Sequence, residues 1–337
     1  MPPEPPRTAL VVRVDARQCE VCLDGPASPP QAAVLRGRLF EERGEDKLPV
    51  AVGDRVLLST DEHTGELAID EILPRANCFC RRAAGEEPRR QLLAANVDQV
   101  VLVSCFGTPP FSSVLTDRIL AATSFGGIPT TLVLNKTDQA ERRKMERVVA
   151  TYHGAGYAVL PTSAEEEQGI DELGALLRDR TSVLYGLSGV GKSSLLNCIE
   201  PGLGLRTREV SKSLKSGRHT TTFARLYPLA MGGAVIDTPG VRVFRPFGIP
   251  PHELRLHFPE LRERGGACHF PGCLHRGEPG CSVPAALELQ TLPESRYRSY
   301  LELLEELETV YGGTAPVEEE ADGGRDARGS KPKAPRR

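Results

Sequence analysis

Gly186-Leu187-Ser188-Gly189-Val190-Gly191-Lys192-Ser193 decides how this chain is to be read. Its spacing is G-x4-G-K-[ST]. It stands between an apolar run with strand composition, Thr181-Ser-Val-Leu-Tyr185, and a helical opening, Ser194-Leu-Leu-Asn197. That strand–loop–helix setting separates a phosphate-binding loop from a Gly-rich turn with chance spacing. Backbone N–H groups from Gly186 through Ser194, at the loop and the helix N-terminus, would cradle phosphate oxygens. Lys192 would reach the β and γ phosphates, and the Ser193 hydroxyl would ligate Mg²⁺.

Working outward, Asp237-Thr-Pro-Gly240 follows the strand-like Ala234-Val-Ile236. An acid at the end of a buried strand suits a second Mg²⁺ carboxylate, and the Gly240 amide could meet the γ-phosphate. On its own, D-x-P-G is only a turn. Asn135-Lys136-Thr137-Asp138 ends another apolar run, Leu132–Leu134. Asp138 can accept two hydrogen bonds from guanine N1–H and N2–H₂, and adenine would leave its oxygens unpaired. Asn135 and Lys136 would brace the loop and cover the base. Thr162-Ser163-Ala164 could add backbone donors to guanine O6. N-K-x-D is weak alone and S-A weaker still; with the phosphate loop the set specifies a guanine nucleotide.

The apolar runs of residues 96–249 alternate with helical patterns, which predicts a mostly parallel sheet covered on both faces. The order of the motifs is unusual. The base-reading segments precede the phosphate loop, and Asp237 follows it, as in a circularly permuted P-loop GTPase domain. Only the loops at the strand ends matter to the site, so permutation preserves it. It also puts the segment after Asp237 at a domain junction, where nucleotide-driven motion would reach the C-terminal domain.

Residues 1–7 are Pro-rich and predict a disordered lead. Residues 8–80 hold short strand-like runs (Ala9–Val14, Cys19–Leu23, Ala33–Gly37, Arg55–Leu58) with Gly, Pro and Asp between them. That spacing in so short a segment predicts an OB-fold β-barrel. Residues 81–95 carry Arg81, Arg82, Arg89 and Arg90 and no buried-looking run, so they read as a linker. Residues 250–312 predict a mostly helical domain with a Cys/His cluster, its last helix over about 294–309 and its apolar face at Leu301, Leu304 and Leu307. Residues 313–337 have almost nothing to bury and predict a disordered tail.

Composition bounds the function. Lys+Arg 42 against Asp+Glu 45 is a formal charge of −3, which by itself excludes a basic nucleic-acid coat. The sum averages opposites, since residues 206–225 hold six basic residues and one acid. That excess beside the nucleotide favours contact with RNA phosphates over a merely solvated loop. No apolar run is long enough for a membrane span, and the start lacks a secretion pattern, so a cytoplasmic protein with no membrane partner is expected. Nine cysteines argue for reduced thiols or metal ligands rather than a disulfide scaffold.

Cys268, Cys273, His275 and Cys281 supply three thiolates and one imidazole, a closed tetrahedral set, so one structural Zn²⁺ is expected. Free cysteines in a loop explain the cluster poorly, because the intervening residues include too few apolar groups to pack. His269 is a competing imidazole. Cys19 and Cys22 lie on a strand-like segment and face opposite sides, which suits chelation badly.

A small N-terminal barrel, a permuted G domain and a C-terminal Cys/His cluster together resemble the ribosome small-subunit-dependent GTPase family (RsgA, also called YjeQ). The resemblance runs from residue 8 to about 311, and Gly217-Arg218-His219-Thr-Thr-Thr222 also matches. It selects His275 over His269 as ligand. It implies a GTP hydrolase that binds the small (30S) ribosomal subunit and its 16S rRNA near the decoding region, assists late maturation, and is stimulated by the subunit. A monomer is expected. Residues 206–225 look like switch I, in which one of Thr220, Thr221 and Thr222 would complete Mg²⁺ coordination; Thr221 is the preferred candidate. Val241 stands where many GTPases place a water-orienting glutamine. His219 is then the candidate to orient the attacking water, against the plainer reading of a loop histidine touching RNA. Two other functions remain open: a nucleotide-regulated RNA-binding scaffold with little turnover, and a GTPase of another process.

Overall fold

The computed structural model describes residues 7–15, 18–61, 65–85, 89–205, 224–238 and 243–311. At the N-terminus, alternating apolar side chains make strands with one face to bury. β1 (Arg7–Asp15), β2 (Gln18–Cys22) and β3 (Gln31–Leu35) form an antiparallel meander. Helix α1 (Gly37–Glu41) leads to β4 (Arg55–Thr60) and β5 (Leu67–Ile72). β5 pairs parallel to β3 and antiparallel to β4, and β4 returns to β1, so five strands close into the expected barrel. Closure removes the exposed strand edges of an open sheet. Val11, Val21, Val56, Leu58 and Ile69 fill the interior. A bulge in β1 between Val11 and Arg13 lets both Val11 and Val12 be buried, Val11 in the barrel and Val12 in the larger neighbouring core. Cys19 and Cys22 divide the same way, which separates them as metal ligands.

Residues 81–95 differ from the linker expected there. β6 (Cys78–Arg82) and β7 (Arg90–Ala95) pair antiparallel as a separate two-stranded sheet. Its buried residues are Phe79 and Ala94, opposite one another in the main core, and Ala95 on the other face. One aromatic outside the expected segment and two alanines give little hydrophobic signal, and four arginines mask it. Ala95 N–H donates to Val52 O at 2.9 Å. Gly53, at φ +92°, sits so close that a Cβ would lie 2.1 Å from Ala95 O.

The central sheet is built from β8 (Gln99–Cys105), α2 (Ser113–Phe125), β9 (Thr130–Asn135), α3 (Arg142–Gly154), β10 (Ala158–Pro161), α4 (Ile170–Leu177), β11 (Thr181–Tyr185), α5 (Lys192–Ile199), β12 (Arg225–Pro228) and β13 (Ala234–Asp237). Its strand order is β10-β9-β8-β11-β13-β12, parallel except for β12. Val100 and Leu102 pack to one side and Val101 and Val103 to the other, as a sheet covered on both faces requires. β12 continues into the barrel through the pair Arg13–Arg225, and both arginines bind Glu20, at 2.9 and 3.2 Å.

Beyond residue 250, α6 (Pro259–Arg264), α7 (Val283–Glu288) and α8 (Glu294–Tyr311) build a third core that includes Ala121 of α2. The buried face of α8 is Tyr300, Leu303, Leu304 and Leu307; Leu301, expected there, is only partly covered at its flank. Arg296 of α8 is 1% exposed. Its guanidinium meets Asp117 of α2 at 2.5 Å and Glu260 of α6 at 2.6 Å. It also lies over Phe258, 4.8 Å from the ring centroid, and the Tyr152 hydroxyl donates to Asp117 at 2.7 Å. Burial pushes the Asp117 carboxyl upward, and Arg296 opposes that push. Arg296→Ala would leave two buried carboxylates without their cation, so we expect a loss of about 3–5 kcal/mol in urea denaturation of the full chain. A loss under about 1 kcal/mol would show that the cluster contributes no more than a surface pair.

Candidate guanine-nucleotide site and metal centre

The phosphate loop leaves β11 and enters α5. Two of its glycines answer to close approaches, since a Cβ at Gly186 would lie 2.1 Å from Val103 O and one at Gly191 would lie 2.2 Å from Asn135 Nδ2; a third, Gly189, takes a positive φ of +87°. Lys192 is buried, and its Nζ donates to Gly186 O at 2.9 Å and Leu187 O at 3.2 Å. Burial pushes the Lys192 ammonium down in pKa, and Asp237 opposes this. Asp237 lies on the neighbouring strand, in register with Leu184 of β11. Its carboxyl is pushed up by burial and held back by Lys192, and its buried Oδ1 has no hydrogen-bond partner among the described residues. A buried, donor-free carboxylate oxygen beside the phosphate-loop lysine is a fitting ligand for a divalent cation. Ser193 is the second residue of α5.

Asn135 joins three loops. Its Nδ2 donates to Val190 O at 2.9 Å, and its Oδ1 accepts from Thr162 Oγ1 and Ala164 N, both at 3.3 Å. Lys136 takes a left-handed backbone, φ +60°, and its Nζ donates to Gly189 O and Thr108 O at 2.7 Å each. The Thr108 carbonyl is a site group with no sequence signal, since a backbone oxygen does not depend on residue type. Ser163 Oγ donates to Asp138 at 2.6 Å. The amides of residues 162–164, which could serve as donors to guanine O6, have acceptors within the protein in this structure. Thr162 N–H donates to Leu134 O, Ser163 N–H to Gln168 O and Ala164 N–H to Asn135. The bridge between Ser163 and Gln168 turns that segment inward, so in this structure it holds Asn135 and Asp138 in place. His219, Thr221, Gly240 and Val241 lie outside the described residues.

The second cluster lies in the C-terminal part. Ligand atoms of Cys268, Cys273, His275 and Cys281 all lie within 4.8 Å of one another, and among the described residues this is the group that could hold a metal ion. His275 Nδ1 stands 3.5 Å from Cys268 Sγ, 3.6 Å from Cys273 Sγ and 3.5 Å from Cys281 Sγ. Backbone N–H groups of Ser282 and His275 donate to Cys268 and Cys273 at 3.4 Å, hydrogen bonds that suit thiolates. Burial lowers the His275 pKa, favouring the neutral ligand form. His269 is absent from the set; it packs against Phe270 and Gly280.

The sequence profile of the RsgA GTPases matches residues 72–246. A Gemmatimonas aurantiaca protein named small ribosomal subunit biogenesis GTPase RsgA is 39% identical over 277 residues, covering 82% of this chain and 90% of that protein. A Flavobacterium psychrophilum protein of the same name is 37% identical over 282 residues, covering 82% and 86%. Among solved structures, YjeQ from Thermotoga maritima superposes with a TM-score of 0.68 at 34% identity, covering 90% of this chain and 99% of that one. YloQ, described as a circularly permuted GTPase, gives a TM-score of 0.64 at 28% identity, covering 91% and 96%.

Asn135→Ala would leave Val190 O and Ala164 N without their side-chain partner. We expect fluorescent GDP to bind at least about tenfold more weakly, with the melting temperature lowered by a few degrees. Unchanged affinity would show that Asn135 does not organise the site.

Proposed function

This chain belongs to the RsgA GTPase family, and from that premise we propose that it hydrolyses GTP while assisting late maturation of the small ribosomal subunit. The observation that carries the reading is the convergence of the base-reading loops and the phosphate loop on Asn135, in a chain whose relatives carry that name. The subunit and its 16S rRNA are the partner, and the protein acts as a cytoplasmic monomer.

Asp138 accepts from guanine N1–H and N2–H₂, with its orientation set by Ser163. Gly186, Ser188, Gly189, Val190, Gly191 and Ser194 present N–H groups to the phosphates. Lys192 exchanges two loop carbonyls for phosphate oxygens when GTP enters, moving its charge to where the transferring group needs it. Ser193, Asp237 and Thr221 would hold Mg²⁺, which when bound neutralises charge on the β and γ phosphates. The Gly240 amide meets the γ-phosphate. His219 orients the attacking water in the complex with the subunit, because Val241 has no polar group for that task.

Zinc is the metal of the Cys/His cluster. With Zn–S near 2.3 Å and Zn–N near 2.0–2.1 Å, a tetrahedral site sets each S···N edge at about 3.6 Å. The edges in this chain are 3.5, 3.6 and 3.5 Å. Four protein ligands leave no open position, so the ion folds the segment and takes no part in hydrolysis. Metal analysis of purified protein should find one zinc per chain, and Cys273→Ser should lose it together with the protease resistance of residues 265–283. A full zinc content in that variant would refute the assignment.

The function is tested by sedimentation and turnover with purified small subunits. The protein should pellet with them in a non-hydrolysable GTP analogue and be released in GDP. The subunits should also raise GTP turnover, and His219→Ala should abolish most of that rise. Pelleting without stimulated turnover would favour a nucleotide-regulated scaffold. No pelleting would place the GTPase in another process, and full stimulation in the His219 variant would remove that residue from catalysis.

A further inference from the structure

The β6–β7 hairpin touches the barrel, the central sheet and the C-terminal helix. On its inner face Phe79 packs edge-on against Tyr185, with centroids 4.9 Å apart, and stacks on Phe244 at 5.9 Å. Tyr185 closes the triangle with Phe244 at 5.7 Å. Tyr185 is the last residue of β11, directly before Gly186. Phe244 belongs to the chain that returns from Asp237. The hairpin backbone holds that return as well, since Arg82 N–H donates to Arg245 O at 2.8 Å. Arg81 Nη1 donates to Val243 O at 3.0 Å.

The outer attachments are equally specific. Arg90 exchanges two backbone hydrogen bonds with Glu45 and Lys47 of the barrel, at 2.9 and 2.8 Å, and its guanidinium binds Asp46 at 2.5 Å. Arg82 lies 3.5 Å from Glu306 of α8, and Glu306 also pairs with Arg118 of α2. One hairpin thus contacts the barrel, the strand of the phosphate loop, the return from Asp237 and the C-terminal helix.

We propose that this hairpin couples the nucleotide site to the barrel, with Arg81 as the positioning residue that fixes where the chain returning from Asp237 is anchored. The two kinds of contact divide the work. The three aromatic rings are buried in the main core, so separating them would expose a large apolar area, and they form a fixed post. Val243 is 55% exposed, and its link to Arg81 can be made or broken without uncovering the core. Among the described residues, Arg81 Nε is buried with no partner, and its charge lies beside the buried Tyr185 hydroxyl, which has none either. The side chain is therefore held at the junction by geometry rather than by saturated hydrogen bonds. A shift of the return chain moves Arg81 and Arg82, and through β7 it moves Glu45–Lys47, which are bonded to Arg90.

The inference rests on the GTPase reading, and its test separates the two. In the full chain with small subunits, Arg81→Ala should lower kcat for stimulated hydrolysis by about fivefold to tenfold, the effect of one lost hydrogen bond. KM and fluorescent GDP affinity should stay within about twofold, and Arg81→Lys, which keeps one donor, should restore most of the rate. Without subunits, the Arg82 amide should exchange hydrogen at least about fivefold faster in Arg81→Ala, because the anchor at Val243–Arg245 opens more often. An unchanged kcat or a loss shared equally by GDP affinity overturns the inference, as does an Arg82 amide that exchanges as in the parent. If the parent itself shows no stimulation, the GTPase reading fails, and the exchange experiment alone decides whether Arg81 anchors the return.

Discussion

The side chain of Asn135 is the constraint around which the nucleotide site is arranged. Its amide spans from the end of β9 to the phosphate loop after β11, and its oxygen reaches the segment after β10. These three loops come from chain positions that the motif order keeps well apart. They meet because β10, β9, β8 and β11 are parallel neighbours, which brings their C-terminal ends to one edge of the sheet. Gly191 follows from the same requirement, since any Cβ there would strike the Asn135 amide. Lys136 repeats the device one residue later by tying Gly189 and Thr108.

Charge is placed by burial in two different ways. At the nucleotide site, Lys192 and Asp237 are both buried, each opposing the pKa shift that burial imposes on the other; Lys192 is held only by loop carbonyls, and Asp237 Oδ1 has no hydrogen-bond partner among the described residues. Groups in that condition gain on meeting a phosphate or a divalent cation, which suits a site that must exchange ligands. At the junction of α2, α6 and α8, Arg296 is surrounded by carboxylates and aromatic rings. That cluster is closed to ligands and joins the C-terminal helices to the central sheet. The first arrangement serves binding and the second serves shape.

Much of the fold was legible because the central strands are buried on both faces and read as continuous apolar runs, while the segments between them carry helical patterns, charged in the case of about 139–153. The phosphate loop and the cysteine spacing were legible because their chemistry depends on residue type. The hairpin at 78–95 was not, since its buried residues are one phenylalanine and two alanines among arginines. The burial of Leu303 in place of Leu301 was also missed: the phase of a helix face is set by what packs on it, and both residues fit the spacing. The inward turn of residues 162–164 depended on the Ser163–Gln168 bridge, which no local pattern announces.

By itself the sequence determined the chemical groups available to this protein: a phosphate loop, a carboxylate suited to guanine, and three thiols with an imidazole to hold a metal. Those follow from side-chain chemistry and short-range spacing, which linear order records directly. Only the tertiary structure decided which face of the last helix is buried, that the amides of 162–164 bond within the protein, and that one hairpin meets barrel, sheet and C-terminal helix. The physical reason is common to all three: each depends on backbone groups and close approaches between segments far apart in the chain, and these are determined by packing rather than by residue identity.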